Sequence, residues 1–185
     1  MKEYLQSFNI LTNEEIGLAV QAGHEKSLKK SELFITEGHT CKSVAFVKSG
    51  LFRSYYINSE GEEITYCFFF PGSFITAYAS FITQTPTEEN IVAAADTEIF
   101  VIPHQALIQL EKQHVNWLRF GKAIAEAEFI TMEKRVISLL KEPAEKRYKR
   151  LLENHPEYVQ QIPLNHLASY LGITQRHLSR LRKSI

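Results

Sequence analysis

Four glycines, Gly38, Gly50, Gly61 and Gly72, stand 12, 11 and 11 residues apart, and this spacing constrains the fold more than any other feature of the chain. Between them lie short runs of β-prone residues, VAFVKSG, LFRSYYINSEG and EEITYCFFFPG. Glycine enters tight turns without steric cost. Turns at even intervals imply strands of even length, which a rolled-up antiparallel sheet requires. The stretch from about Leu28 to Ile102 is therefore expected to be a β-roll, with INSEGEE at a hairpin tip. NIVAAA and TEIFVI are expected to form a last strand pair turning at Asp96 and Thr97. The segment SFITAYASFITQTPTEEN interrupts the pattern with an expected short helix. An insertion of this kind in a small β-domain is either a binding loop or a cover over the mouth of the roll.

Helical periods flank the β-region. Thr12 and Glu15 have capping-box spacing and open a helix to about Ala22, with Ile16 and Val20 on one face. Pro103 opens a short helix to about Glu111. From His114 to Lys141, Val115, Leu118, Lys122, Ala125, Phe129, Met132, Val136 and Leu139 recur at alternating steps of three and four, the spacing of a coiled-coil seam. At a rise of 1.5 Å per residue such a helix spans roughly 40 Å, more than a domain of this size covers. The apolar positions Val115, Leu118, Ala125, Phe129, Met132, Val136 and Leu139 are accordingly expected to form a parallel homodimer seam; packing against the chain's own β-domain is the alternative. Glu142-Pro143 ends the helix. AEKRYKRLLENH then makes a further helix with Tyr148, Leu151 and Leu152 as its apolar face, and YVQQIP an extended connection. The expected division is 1–113, 114–142 and 143–185.

The last segment carries a more specific pattern, LNHLASYLGITQRHLSRLRKSI. Leu164, Leu167, Ala168 and Leu171 form the buried stripe of one short helix. Gly172 supplies a tight turn, Ile173 plugs the core, and Thr174 caps a second helix. Leu178 and Leu181 point inward, leaving Gln175, Arg176, Ser179, Arg180 and Lys183 outside, a face of donors suited to base edges and phosphates. Charge supports this. The chain is formally neutral, but residues 144–185 hold eight basic and three acidic residues, against 13 basic and 18 acidic in residues 1–143. A neutral chain made of an acidic body and a basic end fits a polyanion-binding tail.

With these residues in place, the chain resembles the Crp/Fnr family of bacterial transcription regulators, and LASYLGITQRHLSRLRK looks like the short form common in Bacteroidetes. The resemblance implies an α+β fold: an N-terminal antiparallel β-roll (a double-stranded β-helix, cyclic-nucleotide-binding-like) with flanking helices, a long dimerisation helix, and a C-terminal helix-turn-helix. It implies double-stranded DNA as partner, a small-molecule effector, and RNA polymerase as a candidate partner. By analogy Gln175, Arg176, Ser179 and Arg180 match base- and phosphate-facing positions, Thr174 opens the recognition helix, and Arg182 and Lys183 are phosphate contacts. The effector pocket would fall at Gly72, Ser73, Phe74, Thr87 and Glu88, and there the chain departs from the family. Pro71-Gly72 is followed by Ser73 where cyclic-AMP-binding members have an acidic residue, and Thr87-Glu88 stands where they have Arg-Ser. No Arg or Lys occurs between Arg53 and Lys112, and a buried cyclic phosphate without a cation, and with Glu88 and Glu89 nearby, is disfavoured. Cyclic AMP is therefore not the expected effector, and no cofactor is expected.

Other classes find less support. Cys41 and Cys67 are the only thiols, too few for a four-thiolate iron–sulfur site, and no histidine falls in a haem motif. There is no P-loop, HExxH, nucleophile elbow or dinucleotide fingerprint, so the chain is not expected to be an enzyme. No apolar run approaches the ~20 residues of a membrane span, and the N-terminus lacks a signal-peptide core; the expected place of action is the cytoplasm. The alternative function is a ligand-sensing or protein-interaction module without DNA binding.

Overall fold

The computed structural model describes residues 1–184, the side chains of residues 157, 158 and 184 excepted. The chain opens with α1 (Lys2–Ser7) and α2 (Asn13–Ala22). The expected capping box is present at α2: the Glu15 N–H donates to Thr12 Oγ1 at 3.2 Å, and the Thr12 N–H donates to Glu15 Oε2 at 2.7 Å. Then come β1 (His24–Leu28), β2 (Leu33–Ile35), β3 (Ser43–Ser49), β4 (Phe52–Ile57), β5 (Glu63–Phe69), β6 (Phe74–Ile75), α3 (Tyr78–Thr83), β7 (Asn90–Ala93) and β8 (Thr97–Pro103). The strands form two four-stranded sheets, ordered β1-β8-β3-β6 and β2-β7-β4-β5. The periodic glycines sit where the spacing places them, with φ of +82° at Gly38, +85° at Gly50, +80° at Gly61 and +89° at Gly72. Gly50 is constrained twice over, since a Cβ there would also lie 2.4 Å from the Asp96 carbonyl oxygen.

One expectation about the strands is corrected. β7 and β8 do not pair with each other but belong to different sheets. The chain crosses between sheets at a corner where the Asp96 carboxylate accepts hydrogen bonds from the Lys30 N–H and the Lys29 ammonium, each at 2.9 Å. The physical reason lies in β8. Ile99 and Val101 enter the core between the sheets, while Phe100 and Ile102 enter a second core beneath the helices. A strand apolar on both faces needs cover on both, and a two-stranded hairpin does not supply it.

After β8 come α4 (His104–Gln113), α5 (Val115–Lys141), α6 (Ala144–Asn154), α7 (Pro156–Val159), α8 (Leu164–Tyr170) and α9 (Gln175–Ser184). The connection expected to be extended begins inside α7. Proline suits a first helical position, and the Val159 N–H closes one turn on the His155 carbonyl at 3.1 Å.

The chain forms two compact units, residues 1–54 with 68–125 and residues 55–67 with 126–185. In the first, Val47, Phe52, Ile75, Ile91 and Ile99 centre the core between the sheets. Phe46, Phe100, Trp117 and Phe120 join Leu5, Ile16 and Ala19 in the second core, which fastens α1, α2, α4 and the start of α5 to the outer face of β3 and β8. The second unit contains the tip of the β4–β5 hairpin, the rest of α5, and α6 to α9.

Candidate nucleic-acid interface

The interface is built on α8 and α9. Leu167, Ala168 and Leu171 of the first segment and Leu178 of the second are fully buried. α8 ends in a Schellman arrangement: the Gly172 N–H reaches the Ser169 carbonyl and the Ile173 N–H reaches back to the Ala168 carbonyl, both at 3.0 Å. Gly172 has φ +65°, the left-handed conformation this ending demands. Thr174 caps α9 through its hydroxyl, which accepts the His177 N–H at 3.2 Å.

With Leu178 inward, α9 turns Gln175, Arg176, Arg180, Arg182 and Lys183 to solvent, and Ser179 is half-buried. Among the described residues no hydrogen bond or ion pair engages the side chains of Gln175, Arg176, Arg180 or Lys183. Arg182 differs, since its guanidinium donates to the Val159 carbonyl at 3.4 Å and is partly turned back onto the protein. His177, passed over in the sequence, is also exposed. Gln175, Arg176 and His177 thus form a run of exposed polar side chains in the first turn of α9.

Behind this pair lies a polar junction. Glu142 receives hydrogen bonds from the Arg150 guanidinium at 2.8 Å and the Ser138 hydroxyl at 2.5 Å, and Lys146 lies at 3.1 Å. Arg150, then Ser138 and Lys146, hold its carboxyl far below the usual range, at about 2.

Along α5 the expected seam is only partly exposed. Val115, Leu118, Phe129, Val136 and Leu139 face solvent, and so do Ile130, Ile137 and Leu140, the last 80% exposed. Ala125 is half-buried. Met132 accepts a hydrogen bond from Tyr66 at 2.9 Å, and a Cβ built on Gly172 would meet Leu139 at 3.3 Å. Met132 turns toward its own unit, so beyond Phe129 the exposed apolar stripe continues through Val136, Leu139 and Leu140.

The expected effector residues are dispersed. Gly72 is exposed at its turn, and the Ser73 hydroxyl caps the same turn by donating to the Phe70 carbonyl at 2.7 Å. Phe74 packs among the rings of Tyr4, Phe46 and Phe120. Thr87 is buried and bonded through its backbone to Gly38 and His39, while Glu88 is exposed. Glu89, the acid next to Glu88, is 8% exposed and accepts a hydrogen bond from the buried Ser54 hydroxyl; Arg53, which the sequence did not single out, is buried on β4. Burial pushes the Glu89 carboxyl above its usual range, against a smaller opposing pull from Ser54. The signal for Arg53 was a charged residue inside an otherwise largely apolar strand run. Cys41 is buried and Cys67 half-buried, both as free thiols. Among the described residues no group of three or more His, Cys, Asp or Glu is placed to hold a metal ion, and no helix is long and apolar enough to cross a membrane.

Two sheets rolled about one core, followed by a long helix and a short helix pair with a donor-rich face, define a cyclic-nucleotide-binding-like α+β fold. Residues 25–114 match the family model of the cyclic nucleotide-binding domain. FixK2 from Bradyrhizobium japonicum shares the fold at 21% identity and a TM-score of 0.77, over 88% of this chain and 83% of that one. A protein from Eubacterium rectale described as a transcriptional regulator of the Crp/Fnr family matches at 20% identity and a TM-score of 0.76, over 98% and 87% of the chains. CLP of Xanthomonas campestris, described as a c-di-GMP-responsive global regulator, matches at 14% identity and a TM-score of 0.73, over 94% and 91%. No curated protein sequence matches the chain.

Proposed function

We propose that this protein is a homodimeric, sequence-specific DNA-binding transcriptional regulator of the Crp/Fnr type, in which an effector-sensing β-roll is coupled to a C-terminal helix-turn-helix and which acts in the cytoplasm. The observation that carries this reading is α9. Its start is fixed by a Schellman turn and a threonine cap, Leu178 anchors its inner face, and Gln175, Arg176, Arg180 and Lys183 stand on its outer face without internal partners. Buried arginines find carboxylates or carbonyls; two arginines and a lysine left to solvent on one short helix are available to phosphates and guanine edges. The regulators that share the fold support the reading, and RNA polymerase is the further partner it implies.

The effector is not a cyclic mononucleotide on this reading. Ser73, Thr87 and Glu88 replace the residues that would hold ribose and phosphate, and Glu89 adds a buried carboxyl near the same segment. CLP, with a different effector in its description, supports a fold that takes more than one ligand. The test is selection of bound sequences from a random duplex pool. An enriched palindrome with half-sites about one helical turn, ~34 Å, apart is the expected result. A pool without enrichment rejects DNA reading and favours a sensing or interaction module.

A further inference from the structure

The last three residues before the turn between α8 and α9 are each held by a different element. The Thr65 N–H of β5 donates to the Ser169 hydroxyl at 2.8 Å. Arg135 of α5 donates to the Tyr170 carbonyl at 3.0 Å, and its guanidinium carbon lies 4.0 Å above the centre of the Tyr170 ring. Arg147 of α6 donates to the Leu171 carbonyl at 2.6 Å, and the same guanidinium donates to the carbonyls of Glu142 and, at 3.4 Å, Ser138. Thr65 is buried, and Tyr170 and Arg147 are half-buried.

Each bond has a local reason. The last carbonyls of a helix have no partner within it, and cations near that end also meet the negative pole of the helix. α8 has seven residues and little length from which to draw rigidity of its own. Two arginines from two other helices therefore serve as its C-terminal cap, and the hairpin tip supplies a third point. What the clamp holds is then passed on. From Leu171 to Thr174 the backbone has no slack: Gly172 and Ile173 are both bonded back into α8, and Thr174 caps α9. Whatever sets the pose of the end of α8 sets the pose of α9.

We propose that Arg135, Arg147 and Ser169 are positioning residues for DNA reading: they lock α9 to the C-terminal half of α5 and to the hairpin tip, and so fix the half-site spacing the dimer accepts. This rests on the reading of the chain as a dimeric DNA-binding regulator. None of the three lies on the outer face of α9, so none is needed to contact a single half-site. Their effect falls on the two half-sites together. Each added base pair moves one half-site about 3.4 Å along the axis and turns it by about 34°, which a rigid pair of reading helices rejects and a loosened pair accepts.

The experiment measures binding of the full-length protein to three kinds of duplex: the palindrome selected by the wild type, the same palindrome with one base pair inserted or removed at its centre, and an isolated half-site. The wild type is expected to discriminate against altered spacing by about tenfold or more, within the range a poorly fitted site costs. Arg135→Met with Ser169→Ala is expected to cut that ratio to about threefold or less, with half-site affinity held within about twofold. Arg135→Lys, which keeps a donor, is expected to restore part of the ratio. Circular dichroism melting checks folding; should the double variant unfold, Ser169→Ala alone and Arg147→Lys are read in its place. Unchanged spacing preference in folded variants overturns the clamp, as does equal loss on half-site and palindrome. A wild type that selects no palindrome overturns the proposal together with DNA reading, a pattern distinct from a wild type that selects one and variants that behave like it.

Discussion

Glu89 is the residue on which the chemistry of the β-roll turns most sharply. Its carboxyl is buried and bonded to Ser54, and burial raises its pKa. An acid whose folded pKa lies above its unfolded value gives full stability when protonated and loses it as pH rises from the unfolded value toward the folded one. Glu89→Gln keeps an acceptor for Ser54 and carries no charge. It is expected to melt higher than the wild type at pH 8 but not at pH 4. An imperfectly solvated buried group costs on the order of 1 kcal/mol or more, which reads as a rise of about 2–4 °C in a chain of this size. An equal shift at both pH values would remove the charge from the explanation. On α9, Arg180 and Lys183 are both exposed but are expected to act differently. A bidentate arginine–guanine contact carries roughly 1–3 kcal/mol of discrimination, so Arg180→Ala should relax the selected motif. Lys183→Ala should weaken binding evenly and lower the salt slope by about one unit. Identical selected motifs for wild type and Arg180→Ala would take Arg180 out of the readout. The donors of α9 were legible in the sequence because inward leucines and outward cations alternate at helical period. The burial of Glu89 and Arg53 was not, because burial of a charge depends on what the neighbouring strands bring over it.

At the scale of elements, α5 shows how far a period carries. Steps of three and four identified a helix and an apolar stripe, and the helix runs over Val115–Lys141. The heptad could not say which stripe residues the rest of the chain would claim. Tyr66 takes Met132, whereas Leu139 stays exposed. The exposed stripe therefore passes through Phe129, Val136, Leu139 and Leu140. Burying one large apolar side chain contributes roughly 1.5–3 kcal/mol, and in a two-fold dimer each substitution counts twice. Leu140→Glu and Phe129→Glu are each expected to shift the protein toward monomer by light scattering while leaving its melting as a folded chain intact. Dimers that persist in both glutamate variants would show that the helix does not use this stripe. The strands follow the same division: glycine spacing located the turns, whereas the assignment of β7 and β8 to different sheets depended on both faces of β8 finding cover.

For the molecule as a whole, the expected behaviour toward ligands follows from the substituted pocket residues and the buried Glu89. Calorimetry with cyclic AMP or cyclic GMP is expected to show no binding heat at micromolar concentrations, since an unpaired buried phosphate charge loses several kcal/mol of hydration; a saturable micromolar isotherm would overturn this reading, with Arg53 the first residue to test as the cation responsible. Local physics alone settles part of the molecule. Positive-φ glycines define turns, the Thr12–Glu15 box and Thr174 start helices, Gly172 ends one, and the 3.6-residue period separates the buried leucines of α9 from its exposed arginines. Each of these depends on residues a few positions apart, so it can be read along the chain. The rest depends on contacts distant in sequence: the sheet crossing at Asp96, the burial of Glu89 beside Ser54, the turning of Met132 toward Tyr66, and the three bonds that hold Ser169, Tyr170 and Leu171. Thr65 and Ser169 are 104 residues apart, and no propensity or period links them. Their pairing exists because a hairpin tip and a short helix meet in one compact unit, where an uncapped carbonyl or a buried N–H takes whichever partner the fold brings within reach.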